Sequence, residues 1–296
     1  IRQGLPHITS MDHHQFRDLT RNGKVNVHSA TEKTDGSTFM FGHDKDGFYS
    51  QSSGSGSEKM RKPDDYIHRV TARSKETGKE PDYTGAKAFA DAHYHLHNNE
   101  KLQGHLKAQA EKHGGETSVR GELFSKKLAR PSDEKNGEVK LVGTSYDPSK
   151  WGHHGQIVIH SKLPENQHHD PEHFKKHLSS QEMNFEHDKI DHKPGHIDVS
   201  DHVKEFQSLN HELLNSRTTP KNKAEKTSEL EKFQHIKNKV SAKVDDHVKK
   251  LGISPKFGSG SEGLVIHPKA GTKAPRFKVT SDAFRSYKAD PESKAK

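Results

Sequence analysis

The segment Thr31-Glu32-Lys33-Thr34-Asp35-Gly36-Ser37 brings an amine, two carboxylates and a glycine turn close together. A lysine amine at its ordinary pKa of about 10.4 is protonated at neutral pH and attacks nothing. Partial burial and a neighbouring cation lower that pKa and make the amine a nucleophile. A Lys-x-Asp-Gly tetrad also arises by chance in a lysine-rich chain, as a charged turn. Here three further groups follow it in order. Arg120-Gly121-Glu122-Leu123 sets a carboxylate after a glycine. Ser261-Glu262-Gly263-Leu264-Val265-Ile266 runs a second carboxylate into an apolar stretch. Arg276-Phe277-Lys278-Val279 alternates cations with apolar residues, which puts both cations on one face of a strand.

Histidine forms a second constellation, with 26 in the chain. Asp91-Ala92-His93-Tyr94-His95-Leu96-His97 and His153-His154 have the composition of metal clusters. On a helix, residues two apart do not share a face, so His93, His95 and His97 do not converge. The chain has no cysteine and no His-Glu-x-x-His. Thiolate zinc sites, disulfides and cysteine nucleophiles are therefore excluded, and most histidines read as solvated or as nucleic-acid contacts.

The elements that must position these groups follow from periodicity. Residues 12–23 predict a short helix with Asp12 as N-cap and Gly23 as stop. Val25 and Val27, then Phe39 and Phe41, alternate as in strands, and Asp46-Gly47 predicts a hairpin turn just after Lys33. Residues 52–65 read as a Ser/Gly loop and 84–113 as helical. Strands are expected at Val119–Phe124, Val139–Tyr146, Gln156–Leu163, Gly263–His267 and Arg276–Thr280. Residues 165–254 read as a pair of amphipathic helices, carried by Val203 to Leu214 and Leu230 to Val248, with Thr219-Pro220 as a breaker. The architecture expected is a mostly antiparallel α+β core, residues 1–164 and 255–296, interrupted by a helical insertion at 165–254. That insertion reads equally as a clamp on nucleic acid or as a structural element with a solvated face.

Hydrophobic residues make up 27% and charged residues 30% of the 296 positions, which bounds the core to a modest size. No apolar run is long enough to span a membrane, and the N-terminal residues lack an apolar signal segment. The net charge of +8 suits a polyanionic partner such as nucleic acid; general solubility is the plainer reading of the same number.

Taken in order, the four motifs resemble those of the covalent nucleotidyltransferases: ATP-dependent DNA ligases, RNA ligases and mRNA capping enzymes. The likeness covers residues 24–165 and 255–280. Glu32-Lys33-Thr34-Asp35-Gly36-Ser37-Thr38-Phe39 is most similar to the phage and editing-type RNA ligases, where a Glu also precedes the lysine. The chain also looks like tailed-phage proteins with the same lysine motif, which implies the cytoplasm of an infected bacterium or the virion as its location.

The resemblance implies an ATP-dependent polynucleotide ligase that joins RNA or DNA ends or nicks as a monomer. Lys33 would attack the α-phosphorus of ATP, release pyrophosphate and carry AMP to a 5′-phosphate. Asp35 would hold the loop and assist phosphate or metal geometry, with Glu32 and Gly36 beside it binding the nucleotide. Glu122 would meet the ribose, and Lys278, with Arg276 beside it, the α-phosphate. Glu262 would bind Mg²⁺ or Mn²⁺. Taken alone, Glu122 reads equally as a surface carboxylate and Lys278 as an edge-strand lysine. Two features depart from the pattern. The arginine that ligases place after the first hairpin is missing from Ser50–Gly56, and Arg61 is the substitute on offer. The base-stacking ring is either His160, after Ile157-Val158-Ile159, or Tyr146. Only 18 residues follow Lys278, which leaves no room for an oligonucleotide-binding barrel and favours RNA ligase over DNA ligase or guanylyltransferase. The alternative class is a non-catalytic virion or nucleic-acid-binding protein that keeps the fold.

Overall fold

The computed structural model describes residues 5–34, 36–52, 58–128, 134–135, 138–141, 144–188, 195–215, 222–250, 263–269 and 271–280, with the backbone path alone between 134 and 146. In chain order the elements are α1 (His13–Leu19), β1 (Lys24–Val27), β2 (Ser29–Lys33), β3 (Ser37–Asp44), β4 (Gly47–Ser52), α2 (Pro63–Thr77), α3 (Thr84–His97), α4 (Glu100–Lys112), β5 (Thr117–Phe124), β6 (Glu134–Lys135), β7 (Glu138–Leu141), β8 (Thr144–Tyr146) and β9 (Gly155–Ile159). They continue with α5 (Pro171–His173), β10 (Met183–His187), β11 (Gly195–Asp198), α6 (Ser200–Gln207), α7 (His211–Asn215), α8 (Lys223–Lys250), β12 (Gly263–His267) and β13 (Phe277–Thr280). The protein is α+β. No helix among the described residues is long and apolar enough to cross a membrane.

The chain divides into two compact units, and the first boundary falls between Lys33 and Thr34. Unit 1 gathers residues 1–33, 190–255 and 263–282; unit 2 is chiefly 34–189. This differs from the division expected at 164 and 255. The helices were expected to interrupt a finished core. Instead they make one.

In unit 1, Asp12 caps α1: its Oδ1 accepts from Gln15 N at 2.8 Å, and Asp12 N donates back to Gln15 Oε1 at 3.1 Å. Strand β1 alternates exposed and buried residues, and Val25 and Val27 point inward. It pairs antiparallel with β11, while β12 lies between β13 and β2 in a three-stranded antiparallel sheet. Against these strands α8 lays Phe233, Ile236, Val240 and Val244, a 3–4 spacing that buries one helical stripe. Phe233 meets Phe16 and Phe206 with ring centroids 5.4 Å apart in each case. The expected breaker Thr219-Pro220 lies outside the described residues.

Unit 2 is built on a five-stranded sheet in the order β10-β9-β5-β3-β4. All its pairings are antiparallel except β9 with β10. The hairpin expected at Asp46-Gly47 joins β3 to β4, with Gly47 at φ 100°. Phe39 and Phe41 face a core shared with Phe89 and Leu96 of α3 and Leu102 and Leu106 of α4. The helical stretch expected at 84–113 is two helices. Asn99 ends one connection and starts the next, its side chain accepting from Leu102 N at 3.1 Å. Strands β10 and β11 lie where helix was expected, because Met183, Phe185 and His187 alternate inward with a period of two. Helix α2, with Pro63 in its first turn, begins inside the stretch expected to be loop.

Candidate functional site

Unit 1 presents the lysine motif on a sheet. Lys33 ends β2 and pairs with Gly263 of β12, which pairs in turn with Thr280 of β13. Two residues along, Thr31 pairs with Val265, and Val265 with Lys278. Lys33 and Lys278 therefore project from the same face, with their Cα atoms about 12 Å apart at ordinary strand spacing and rise. Both are half-buried. The face is confirmed by Thr31 Oγ1, which meets His267 Nε2 across the sheet at 3.0 Å. Arg276 stands one residue before β13, half-buried, and shares the parity of Lys278.

Gly263, between the two lysine strands, has φ 144°, and a Cβ there would fall 1.9 Å from the Val279 carbonyl oxygen. Only glycine fits there, and two residues on, Val265 carries its side chain on the same face, level with Lys278.

Glu32 is separated from Lys33 by the pleat. It pairs with Leu264 and takes the opposite face, the one that carries Ala30, Ile266, Phe277 and Val279 into the core, and it is 1% exposed. Neighbours on a strand point to opposite sides, so Glu32 and Lys33 do not address one ligand from this sheet. Asp35 and Glu262 lie outside the described residues.

Unit 2 builds a hydrogen-bonded knot around Glu122. Its Oε2 accepts from Thr34 Oγ1 at 2.7 Å and from Gly36 N at 2.9 Å, so the carboxylate grips the loop on both sides of Asp35. Close packing makes the grip possible. A Cβ on Gly36 would meet the Phe124 ring at 2.9 Å, and one on Gly121 would meet the Val158 carbonyl oxygen at 2.3 Å. Glu122 is 7% exposed, and the role this geometry gives it is bracing the loop; the ribose contact expected of it would have to share that carboxylate.

His160 follows β9. Its Nδ1 lies 2.9 Å from Asp188 Oδ2 and its Nε2 3.7 Å from Glu122 Oε1. Asp188 also accepts from Ser161 N and Oγ, each at 2.8 Å. Asn166 closes the knot by accepting from Arg120 N and donating to the carbonyls of Arg120 and His160. Both ring nitrogens of His160 thus face carboxylates, which fixes the ring rather than leaving it to stack. Tyr146, the rival, has no described side chain.

Arg61 is elsewhere. Its guanidinium makes a two-pronged pair with Asp44, Nη1 to Oδ1 at 2.9 Å and Nη2 to Oδ2 at 2.8 Å, and also donates to the Gly47 carbonyl. Those bonds hold the Asp44 carboxyl far below the usual range. Asp44 ends β3 six residues from Thr38, the partner of Glu122, which places Arg61 about 20 Å away along the strand. The arginine expected to grip phosphate instead pins the hairpin turn.

Thr34, Ser161, Asn166 and Asp188 escaped the sequence reading. A faint signal existed: the apolar run 157–159 is followed by His160 and Ser161, and the alternating stretch 183–186 by His187 and Asp188. Its meaning depends on β9 and β10 lying parallel, which brings both ends to one edge.

No protein-family model matches the chain, and no curated protein matches it.

Proposed function

We propose that the protein is a covalent nucleotidyltransferase of the polynucleotide-ligase type, with Lys33 as nucleophile. The observation that carries the reading is the shared face of Lys33 and Lys278 in one three-stranded sheet. Two motifs at opposite ends of the chain, matched by likeness alone, meet in one small sheet with both amines on one side. Two cations on one face suit a triphosphate, because they offset its charge.

On this reading the neutral Lys33 amine attacks the α-phosphorus of ATP. A nitrogen–phosphorus bond forms, the bond to the bridging oxygen breaks, pyrophosphate leaves and the amine gives up a proton. Lys278, with Arg276 beside it, steadies the α-phosphate. Glu122 keeps the Thr34–Gly36 loop in shape. The nucleotide then passes to a 5′-phosphate end of RNA or DNA.

Glu122 and Asp188 by themselves do not fit a resident magnesium site. The oxygens of Glu122 and Asp188 are committed to Thr34, Gly36, Ser161 and His160, and hard cations need oxygen ligands. Glu262, the metal ligand that the resemblance implies, lies outside the described residues, and a divalent cation held there with the nucleotide stays part of this reading.

The test is intact-mass analysis after incubation with ATP and Mg²⁺ or Mn²⁺, repeated with GTP. One AMP should appear per chain, and peptide mapping should place it on Lys33. Lys33→Ala should abolish it, and Lys278→Ala should slow it at least tenfold, both with unchanged circular dichroism. A wild type left unlabelled by both nucleotides, or labelled elsewhere, overturns the reading. The second reading, a non-catalytic nucleic-acid-binding protein, draws on the +8 charge and on the internal engagement of Arg61 and Glu122. It expects salt-sensitive binding of oligonucleotides and no adduct.

A further inference from the structure

Within unit 2, away from the Glu122 knot, three side chains with metal-ligating atoms converge. Asp91 and His95 stand one turn apart on α3, the spacing that puts both on one helical face. His154 comes from the loop before β9. The donor atoms of the three all lie within 4.8 Å of one another. His154 Nδ1 is 2.8 Å from Asp91 Oδ2, and His95 Nε2 is 3.9 Å from Asp91 Oδ1. The two imidazoles stack at 3.8 Å between centroids. Tetrahedral coordination with bonds of about 2.0–2.2 Å sets ligand atoms about 3.3 Å apart, so small side-chain rotations close the site.

The surroundings are built to hold this set. His154 Nε2, the nitrogen turned away from Asp91, lies 3.2 Å from Glu182 Oε2. An imidazole that binds a metal through one nitrogen characteristically donates the other N–H to a carboxylate, which fixes its tautomer and orientation. The same loop is tied to that carboxylate's backbone: His154 N donates to the Glu182 carbonyl at 2.8 Å. Gly152 permits the approach, since a Cβ there would fall 2.6 Å from the Glu182 carbonyl oxygen. A fifth group competes for the site: Lys127 Nζ sits 2.7 Å from Asp91 Oδ1, where a cation already neutralises the carboxylate.

We propose that Asp91, His95 and His154 form a binding site for a borderline divalent transition metal, zinc above all, with Glu182 orienting His154 and one coordination position left to water. Two imidazoles and one carboxylate suit Zn²⁺, Co²⁺ or Ni²⁺ rather than Mg²⁺ or Ca²⁺. Three protein ligands and an open position are the pattern of a site that can activate water. The sequence-based objection concerned His93, His95 and His97. It holds for those three, and it leaves untouched a site that takes one of them, its i−4 aspartate and a distant histidine.

The experiment is equilibrium dialysis of the full chain against Zn²⁺ with metal analysis, paired with the visible ligand-field spectrum of the Co²⁺ form. The wild type should take up one equivalent saturably, with a tetrahedral cobalt spectrum. His95→Ala and His154→Ala should each weaken zinc at least tenfold, and Glu182→Gln about tenfold. Lys127→Ala keeps every ligand and removes the competing cation, so zinc should bind at least threefold tighter. His113→Ala and His168→Ala, a stacked pair elsewhere, should change nothing. No saturable zinc, wild-type affinity after loss of both His95 and His154, or unchanged or weaker binding in Lys127→Ala overturns the proposal. The lysine and glutamate variants touch exposed or half-exposed side chains and stand as the decisive pair if a histidine variant fails to fold.

Discussion

The two units set out their notable polar groups differently. Unit 1 presents Lys33 and Lys278 from a three-stranded sheet whose other face is packed on a helix-built core. Unit 2 ties its carboxylates and imidazoles to one another: Glu122 to Thr34 and Gly36, Asp188 to His160 and Ser161, Arg61 to Asp44. The first arrangement stores charge on a face; the second spends it on fixing loops. The comparison also predicts different weak points. Unit 1 should fail through its apolar core and unit 2 through protonation of what is buried.

The largest effect belongs to the helix stripe of unit 1. Phe233→Ala removes a ring packed on Phe16 and Phe206 and leaves a cavity, which should cost about 3–5 kcal/mol in denaturant unfolding. A loss below about 1 kcal/mol would return α8 to the role of an appended clamp. The next concerns acid. Burial pushes the imidazoles of His93 and His169 down to about 4, against an ordinary value of 6.5. His93 shows what is at stake: Ser50 Oγ lies 2.8 Å from its Nδ1, and its Nε2–H donates to the Arg61 carbonyl at 3.1 Å, an arrangement suited to the neutral ring. As pH falls through 6.5 the unfolded chain takes up protons first. Stability from these groups is therefore complete above pH 6.5, declines below it and levels off under about pH 4. Each histidine contributes on the order of 3 kcal/mol to that fall. Unfolding midpoints measured from pH 7.5 to 4 should drop accordingly, and His93→Asn should flatten the curve; a flat wild-type profile would remove the contrast between the units. The smallest effect is at Glu122. Its replacement by alanine leaves the Thr34 hydroxyl and the Gly36 amide without their acceptor, at a cost of roughly 2 kcal/mol. Faster hydrogen exchange at Gly36 should accompany it, and an unchanged rate would mean that the loop is held by other means.

Much of the local structure was legible in the sequence. Asp12 as N-cap, the alternation at Val25 and Val27, the Asp46-Gly47 hairpin and strands at 263–267 and 277–280 all follow from short-range rules, and the structure has them. Short-range rules do not say what a strand pairs with. The parallel partner of β9 was invisible because β10 sits in a Lys- and His-rich stretch whose composition reads as helix. Without that pairing Asp188 could not be placed beside His160. The partner of Arg61 was hidden for a related reason. A guanidinium near a hairpin reads as a phosphate ligand until its own aspartate partner is found. Glu32 takes the face opposite Lys33 for a simpler reason, since adjacency in sequence on a strand is opposition in space. The motif glycines carry a lesson of their own. Gly121 and Gly263 are required by backbone crowding and Gly36 is hemmed in by the Phe124 ring, so these glycines would stand there with or without a nucleotide.

The sheet that bears Lys33 has an unusual history during synthesis. Thr31 and the histidine that meets it across the sheet, His267, are 236 positions apart in the chain. At about 5–20 residues per second, a ribosome needs roughly ten to fifty seconds to deliver the second after the first. Most of unit 2 is complete by then. During that wait β2 offers an unpaired edge, the kind of surface that recruits other chains. The nascent protein therefore spends its most vulnerable interval with its proposed nucleophile strand made and its partner strand unwritten. A truncation before Gly263 would prolong that interval indefinitely.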